Sequence, residues 1–334
     1  MTSVAVIGQG FVGGSLTTVL AERGLDVFVY DKSWKRAPGA AGPPNAYKGP
    51  INSVSDLVQR SEDIKHFSRI YFVCLPTPMK SDGSCDLSIV DGVLTELSKI
   101  PGERIAVVKS TVPPGSTDNW NKKFQNTGLT VIFCPEFLTE ANALNDMRNQ
   151  DRIILGGPRP HINRVKELFM LAFPQVPIHK TSAVNAEMVK YTINTFLTTK
   201  VLFANEMYQI CEKLSEHGFD SDYDRIVELA TLDKRLGTSH WKVPGPMPAD
   251  DGSGRLLRGV SGSCFVKDLN SLIFFAKQLG IDPKVLSAVW QKNLEVRPER
   301  DWEKLLGRAV SQTEDNKNVG EQLQFDFIVS EKKN

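Results

Sequence analysis

The chain of 334 residues has no excess of charge of either sign, no long apolar run and no clustered cysteines. Its 40 basic and 39 acidic side chains give a formal net charge of +1, so the composition gives no reason to expect nucleic acid or an anionic membrane as a partner. No apolar stretch is long enough to cross a bilayer, and no charged segment precedes the first apolar run, which argues against a signal peptide. We therefore expect a cytoplasmic protein.

The five cysteines are isolated from one another in the sequence, at Cys74, Cys85, Cys134, Cys211 and Cys264. No two of them form a C-x-x-C pair, so neither a zinc site nor a disulfide framework is indicated, and we expect no metal. Free thiols are usually small core residues. Cys264 is the exception, because it stands among glycines and serines in "GVSGSCFVKD" (259–268).

The first half of the chain alternates short apolar runs with amphipathic stretches, as in a parallel sheet flanked by helices. A chain of this length favours two domains. We therefore predict a doubly wound, Rossmann-type α/β domain over residues 1–180. Its expected strands are 3–8, 26–31, 69–75, 104–110, 129–135 and 151–157.

The second half is predicted to be mainly helical. Residues 183–218 contain no proline, end at a glycine and are apolar on more than one side, which predicts a spine helix roughly 50 Å long. Such a helix needs partners on several faces, so we expect it to hold a helical domain (181–308) together and to form a homodimer contact. Shorter helices are expected at 267–280 and 283–295.

Two segments carry weaker signals. A stretch rich in proline and glycine predicts a loop at about 32–50, and the mostly polar residues 309–334 predict a tail. Within that tail, "LQFDFIV" (323–329) is expected to pair as a short strand.

The first predicted strand runs into a glycine-rich turn and then a helix. Gly8, Gly10 and Gly13 form a G-x-G-x-x-G motif that allows a pyrophosphate to approach the helix N-terminus, where Phe11 and Val12 lie. Asp31 ends the next strand, and its carboxylate favours NAD over NADP because it would repel a 2′-phosphate. The nearby basic residues Lys32, Lys35 and Arg36 leave that preference open.

Five further segments, in order along the chain, resemble the UDP-glucose/GDP-mannose dehydrogenase family. They are "KSTVPPGST" (109–117), "PEFLTEANALNDMRNQDRIILGG" (135–157), "KYTINTF" (190–196), "LDKRLGTSHWKVPGP" (232–246) and "GSCFVKD" (262–268). The resemblance implies oxidation of C6 of a nucleotide sugar from alcohol to acid, with two NAD⁺ and a cysteine nucleophile.

The loop around Cys264 suits that chemistry independently. A free aldehyde has no hydride that leaves easily, whereas a thiolate adduct can be oxidised to a thioester that water cleaves. Gly259 and Gly262 leave room for the substrate, and Lys267 adds a positive potential that favours the thiolate. By resemblance, Asp268 accepts protons or orients water. The alternative is a capped helix start with a buried thiol, Lys267 and Asp268 being solvated.

Lys190 and Asn194 stand four residues apart, so they share one face of the spine helix. A cation and an amide there can stabilise the oxyanion of a tetrahedral species. The alternative is a lysine that reaches solvent and an asparagine bonded within the core.

The resemblance implies further roles. Glu136 manages water in thioester hydrolysis and Thr111 positions water or substrate. Glu140, Pro76 and Thr77 line the nicotinamide and ribose, and Arg235 reaches the substrate of a neighbouring subunit. Each of these residues also suits a loop or a cap.

The chain departs from the family pattern in three ways. Val260, Ser261 and Val266 replace an aromatic residue, a glycine and a proline, and 247–258 is longer than in most relatives. Typical relatives also carry a third domain that binds the nucleotide, which has no counterpart here. We therefore expect weak binding of UDP-glucose by this chain alone, unless a second chain completes the nucleotide site.

Taken together, the sequence predicts an NAD-dependent 6-dehydrogenase acting on a sugar nucleotide or related sugar. Two alternatives stay open. One is a two-electron β-hydroxyacid dehydrogenase, which also places a lysine and an asparagine four apart on a long helix but needs no nucleophilic cysteine. The other is a non-catalytic NAD-binding remnant.

Overall fold

The computed structural model describes residues 2–32, 53–55, 57–58, 67–246, 249 and 253–312. They fall into two compact units: Met1–Thr77 with Leu87–Lys190, and Pro78–Asp86 with Tyr191–Asn334, so far as each is described. Residues 33–50 of the expected loop and the expected tail strand at 323–329 lie outside the described residues. Lys35, Arg36 and most of 247–252 lie outside them too.

The described part of the first unit contains a seven-stranded sheet with the order β2-β1-β3-β4-β5-β6-β7. Its strands are β1 (Ser3–Ile7), β2 (Asp26–Tyr30), β3 (Phe67–Val73), β4 (Arg104–Val108), β5 (Leu129–Phe133), β6 (Ile153–Gly156) and β7 (Ile178–Thr181). Neighbouring strands are parallel except for β5 and β6, which pair antiparallel.

Helices cover both faces of this sheet. In chain order they are α1 (Phe11–Glu22), α2 (Ser88–Ser98), α3 (Ser116–Lys123), α4 (Ala143–Arg148), α5 (Arg159–Ala172) and α6 (Ala183–Glu216). Side chains alternate along each strand, so Val4 and Val6 pack with α1, α4 and α5 while Ala5 and Ile7 pack with α2, α3 and Ala186 of α6. The doubly wound fold is therefore confirmed.

Two features of the sheet differ from the expectation. Strand β6 runs antiparallel to β5, and β7 is a strand that the sequence pattern does not predict. The reason for the second is composition: His179 and Lys180 are exposed, so β7 lacks the apolar run of a buried strand.

The second unit is mainly helical, as predicted. Helix α6 has 34 residues, and it is followed by α7 (Tyr223–Ala230), α8 (Phe265–Gln278) and α9 (Lys284–Val296). Trp290 and Trp302 lie in the core of this unit with their ring centroids 5.5 Å apart. Among the helices that the structure describes, none is both long and apolar enough to span a bilayer.

Candidate functional site

The glycine-rich turn between β1 and α1 has the shape that a pyrophosphate site requires. Gly8 has φ +91°, and a Cβ there would lie 2.2 Å from the Cys74 carbonyl oxygen. A Cβ at Gly13 would lie 1.9 Å from the Gly8 carbonyl oxygen. A Cβ at Gly10 would meet nothing within 4 Å, so this glycine faces open space. The fold therefore requires glycine at Gly8 and Gly13, whereas the missing side chain of Gly10 leaves room for a ligand.

The start of α1 is free of competing side-chain caps. Gly10 is the N-cap, no side chain caps the helix and no acidic residue stands in its first turn, which begins with Phe11 and Val12. Backbone N–H groups at such a helix start, together with the helix dipole, favour a phosphate group.

Asp31 follows β2 directly and is held against the same turn. Its Oδ2 accepts a hydrogen bond from the Gln9 backbone N–H at 2.6 Å, while the Gly8 N–H donates to the Tyr30 carbonyl at 2.8 Å. The carboxylate therefore stands beside the glycine turn, as a ribose-binding acid should. The residues present fit NAD.

The segments that follow β3 and β4 are tied together. Thr77 Oγ1 donates to the Thr111 carbonyl at 2.8 Å, and Ser110 Oγ donates to the Leu75 carbonyl at 2.6 Å. Thr77 and Thr111 are buried, whereas Pro76 is exposed. Because ligands of doubly wound sheets bind at the carboxyl ends of the strands, these loops lie at the edge where a cofactor binds.

Lys190 and Glu136 form a buried pair within the first unit. Lys190 Nζ donates to Glu136 Oε1 at 3.0 Å and to the Glu136 carbonyl at 2.6 Å, and the two side chains are 5% and 7% exposed. Glu136 Oε2 also accepts from the Leu138 N–H at 2.7 Å. The alternative in which Lys190 reaches solvent is therefore wrong, and the pair can move a proton or orient a water molecule.

The loop before α8 places Cys264 at the helix N-cap. Its thiol is half-buried, and its sulfur lies 3.8 Å from Ser263 Oγ. A thiol at a helix start is biased toward the thiolate by the helix dipole. Gly262 has φ +77°, and a Cβ there would meet nothing within 4 Å, so this side of the loop is open to a ligand.

A charged network lies one turn further along α8. Asp268, 1% exposed, accepts from Lys267 Nζ at 2.5 Å and from Asn194 Nδ2 at 2.6 Å. Burial disfavours the Lys267 ammonium, but the Asp268 carboxylate, with the thiolate forms of Cys264 and Cys85, outweighs burial and raises the pKa of Lys267. Lys267 is therefore a fixed cation that acts on Cys264, and the alternative in which Lys267 and Asp268 are solvated is wrong.

Two asparagines that sequence reasoning did not identify hold the cysteine loop. Asn293 Oδ1 accepts from the Val260 N–H at 2.8 Å, and Asn205 Oδ1 accepts from the Gly259 N–H at 3.2 Å. A Cβ at Gly259, whose φ is +68°, would lie 2.6 Å from Asn293 Oδ1. The N–H groups of Gly259 and Val260 thus serve the loop itself.

Glu187 is another buried group that the motifs did not reveal. Its carboxylate accepts from the N–H groups of Gly115 (2.6 Å) and Thr117 (2.9 Å) at the start of α3. Burial raises the pKa of Glu187, and the hydrogen bonds from Thr117 and Gly115 act in the opposite direction. It fixes the first part of α6, which belongs to the first unit, to the start of α3. A helical glutamate without a family motif gives no sequence signal for this role.

The remaining candidates are exposed. Glu140 begins a short 3₁₀ helix in the first unit. Arg235 lies in a turn of the second unit, where its guanidinium pairs with Asp233 at 2.5 Å. Within the described residues, no group of three or more His, Cys, Asp or Glu side chains is arranged to hold a metal ion.

Comparisons with known proteins agree with the motifs. The NAD binding domain of the UDP-glucose/GDP-mannose dehydrogenase family matches residues 46–172, and the central domain of that family matches residues 184–295. The UDP-glucose 6-dehydrogenase of Rickettsia conorii is 32% identical over 317 residues, which cover 91% of this chain and 69% of that protein. YwqF, a UDP-glucose 6-dehydrogenase of Bacillus subtilis, is 33% identical over 312 residues, 87% of this chain and 66% of that protein.

Two solved structures share the fold of this chain. A UDP-glucose dehydrogenase from Pyrobaculum islandicum superposes with a TM-score of 0.68 at 28% identity, over 90% of this chain and 69% of that one. A 3-hydroxyisobutyrate dehydrogenase from Mycobacterium tuberculosis shares the fold, with a TM-score of 0.65 at 15% identity over 90% of this chain and 95% of that one. The chain spans from 51% to 70% of the length of eight curated relatives that it matches. It belongs to the UDP-glucose/GDP-mannose dehydrogenase family, whose members are NAD-dependent dehydrogenases.

Proposed function

We propose that this protein oxidises a UDP-glucose-like nucleotide sugar at C6 from alcohol to carboxylate, through a covalent adduct on Cys264. The observation that carries the proposal is the placement of Cys264 at the start of α8, next to the cation of the buried Lys267–Asp268 pair. The names of the relatives, UDP-glucose 6-dehydrogenases, support the substrate class.

The cofactor is assigned to the first unit. The glycine turn would hold the pyrophosphate at the start of α1, Asp31 would bind the ribose, and Pro76, Thr77 and Glu140 would line the nicotinamide side. When bound there, NAD⁺ would supply the hydride acceptor for both oxidations of C6.

Oxidation of the alcohol releases a proton as well as the hydride. Asp268 is the base that accepts this proton, because its carboxylate is held in a fixed orientation by Lys267 and Asn194. The product of this first half is the aldehyde.

Cys264 then adds to the aldehyde. Its thiolate sulfur forms a bond to C6, and the carbonyl oxygen becomes an oxyanion that Lys190 and Asn194 stabilise. Asp268 returns to this oxygen the proton that it took from the alcohol, which gives the thiohemiacetal. Loss of the second hydride from C6, with the hydroxyl proton passing back to Asp268, gives the thioester. Water attacks the thioester, with Glu136 taking the proton and Thr111 positioning the water, and the C–S bond breaks to give the carboxylate and the Cys264 thiolate.

The reaction products distinguish this proposal from its two alternatives, the two-electron β-hydroxyacid dehydrogenase and the non-catalytic remnant. The first makes no carboxylate by way of Cys264, and the second makes no NADH with any sugar nucleotide. The likeness to 3-hydroxyisobutyrate dehydrogenase concerns the fold alone.

Replacing the nucleophile tests the covalent mechanism. Cys264→Ala should form no acid, while NAD binding and folding remain intact, and Cys264→Ser should stall as an ester-like adduct because an alkoxide leaves less readily than a thiolate. Ser263→Ala is the matched control, since it changes the neighbouring residue and keeps the thiol. Acid production by Cys264→Ala at the wild-type rate would remove the covalent mechanism.

We also propose a homodimer through α6. Four apolar side chains, spaced by seven, seven and four residues, are 66%, 51%, 47% and 39% exposed on this helix: Phe196, Phe203, Ile210 and Leu214. Residues at these spacings share one helix face, and an apolar stripe of this kind favours association. Arg235 is then the residue that reaches the partner's substrate. Light scattering of wild type and of Phe203→Lys tests the homodimer, because the variant should have a lower mass than wild type. The mass of a single chain for both proteins would contradict it.

A further inference from the structure

Lys109 is a buried lysine that the proposed mechanism does not use. It follows β4 directly and is 6% exposed, and its Nζ donates hydrogen bonds to the carbonyl oxygen (3.2 Å) and the sulfur (3.5 Å) of Cys134. These bonds use two of the three donors of an ammonium. Within the described part of the chain Lys109 forms no ion pair, and the buried carboxylate of Glu136 is already paired with Lys190. Lys109 therefore adds a positive charge that no carboxylate of the described residues balances.

The position of Lys109 places this charge beneath the edge of the sheet where the cofactor is expected. Gly8, Cys74 and Lys109 are the first residues after β1, β3 and β4, which are neighbouring parallel strands. Neighbouring strands lie about 4.8 Å apart, so Lys109 starts roughly two strand spacings from the glycine turn. Cys74, on the strand between them, packs against that turn, because a Cβ at Gly13 would lie 3.1 Å from the Cys74 Cβ. Lys109 thus belongs to the floor of the proposed NAD site.

The neighbouring groups leave the Lys109 charge in force. Burial raises the pKa of Cys74 to about 12, and the Lys109 charge only lessens this effect, so Cys74 is a neutral thiol at pH 7. The carboxylate of Glu140 lies on an exposed residue, where water and salt screen its charge. A buried charge is screened much less. The field at the floor of the site is therefore positive.

The two groups assigned to the dinucleotide determine which of its halves would lie over Lys109. Asp31 follows β2 and would hold the adenosine ribose, while the glycine turn after β1 would hold the pyrophosphate. The strand order is β2-β1-β3-β4, so a dinucleotide that runs from Asp31 across the glycine turn continues over β3 and β4. The nicotinamide half is therefore the part that reaches Lys109.

The oxidised and reduced forms of nicotinamide differ in charge. The ring is positively charged in NAD⁺ and neutral in NADH, because the electron pair of the hydride cancels the charge. A fixed cation beneath the ring therefore disfavours NAD⁺ relative to NADH. It is also oriented before the substrate binds, so it needs no reorganisation during hydride transfer.

We propose that Lys109 is a specificity-determining residue of the cofactor site, whose buried ammonium makes the site prefer reduced over oxidised nicotinamide and so favours acceptance of hydride from the substrate. The inference rests on the proposed placement of NAD and not on the adduct at Cys264. It explains why the fold keeps an unbalanced buried charge, which by itself costs stability.

Lys109→Met tests the proposal, because it removes the charge and keeps the length of the side chain. Calorimetry on the protein without substrate gives the Kd of NAD⁺ and of NADH. The ratio of the Kd of NAD⁺ to that of NADH should fall about 5- to 30-fold, the effect of one unit charge at roughly 8–10 Å in partly buried surroundings. The Tm of the free protein should not fall, since an unpaired buried ammonium is costly. Lys109→Gln removes the same charge, keeps a donor for the Cys134 carbonyl and should lower the ratio by a similar factor.

ADP-ribose distinguishes an effect on the nicotinamide from an effect on the diphosphate. It carries the diphosphate of both cofactors but no nicotinamide, so Lys109→Met should change its Kd by the same factor as the Kd of NADH. Equal changes in the Kd of NAD⁺, NADH and ADP-ribose would assign the Lys109 charge to the diphosphate and overturn the inference.

Two further variants keep the positive charge. Lys109→Arg retains a cation, so its Kd ratio should stay within about twofold of wild type. Cys134→Ser changes the residue that accepts both hydrogen bonds but leaves the ammonium in place, and its ratio should also stay within about twofold. If Cys134→Ser lowers the ratio as much as Lys109→Met does, packing rather than charge sets the preference, and the inference is wrong.

The outcomes separate this inference from the proposed function. If the wild type binds neither NAD⁺ nor NADH, the proposed cofactor site fails and the inference fails with it. If the wild type binds both while Lys109→Met and Lys109→Gln keep the wild-type ratio, only the role of Lys109 is overturned. Acid formation by the Cys264 variants tests the covalent chemistry and has no bearing on the Kd ratio.

Discussion

Replacing Asp268 by asparagine is expected to leave the buried Lys267 ammonium without its counter-charge. The two oxygens of Asp268 accept hydrogen bonds from Lys267 and Asn194, and an asparagine offers one acceptor oxygen instead of two. Breaking a buried ion pair from one side costs about 3–5 kcal/mol. The Lys267 side chain is 11% exposed, so we expect a loss of stability at the lower end of that range. Since 1.4 kcal/mol is about tenfold, the folding equilibrium constant should fall more than a hundredfold.

The pH dependence of the variant is the sharper signature. In the wild type the pKa of Lys267 is raised, so the stabilisation is fully present below its ordinary pKa and is lost only as the pH rises through the folded-state value. Without the Asp268 carboxylate, burial dominates and lowers the folded-state pKa below that of the unfolded chain. The unfolded state then binds more protons between the two values, so the stability of Asp268→Asn rises with pH across that window.

Urea unfolding between pH 7 and pH 10, followed by tryptophan fluorescence, measures both effects, since Trp290 and Trp302 lie in the core of the second unit. The double variant Lys267→Met/Asp268→Asn is the control: it removes the ammonium too and should recover much of the stability at pH 7. An Asp268→Asn protein as stable as wild type at pH 7, or a deficit that does not shrink toward pH 10, would refute the reasoning.

Three further predictions concern the first unit. Gly13→Ala should abolish NAD binding, because the new Cβ would lie 1.9 Å from the Gly8 carbonyl oxygen; Gly14→Ala, whose Cβ would lie 3.5 Å from its nearest neighbour, should bind NAD normally in the same titration. The kcat/KM for NAD⁺ should exceed that for NADP⁺, and Asp31→Ser should bring the two values closer together. Equal kcat/KM values for the wild type would show that nearby cations outweigh the carboxylate. Burial raises the pKa of Glu187, so its contribution to stability should fall as the pH rises from its ordinary value through the folded-state value. The free energy of unfolding of wild type relative to Glu187→Gln should therefore be larger at pH 4.5 than at pH 7, and a pH-independent difference would contradict this.

Residues that act through their own backbone or through a local motif were predictable from the sequence. The glycines of the first turn need only the βαβ spacing to be recognised, and the spine helix needs only its length and its lack of proline. Strand β7 was not predictable, because His179 and Lys180 interrupt any apolar pattern. The antiparallel placement of β6 depends on where its partner lies, and a strand pattern does not encode that.

The supports of the cysteine loop were also not predictable, and the reason is sequence distance. Asn293 lies 33 residues from Val260, and Asn205 lies 54 residues from Gly259. An asparagine in a helix has no local feature that names its partner across such a separation.

Two of the buried lysines, Lys190 and Lys267, show how the fold keeps reactive groups charged away from water. Lys190 is paired with Glu136 inside the first unit, and Lys267 is paired with Asp268 inside the second. In each of these pairs a carboxylate of the same unit offsets the desolvation cost of the ammonium. An ammonium held in this way is oriented before a substrate arrives, so it needs no reorganisation when negative charge develops on a sulfur or an oxygen nearby. In the second unit this arrangement explains the order of residues after Cys264: the cation comes one helical turn after the nucleophile, and the anion that keeps it charged is the next residue.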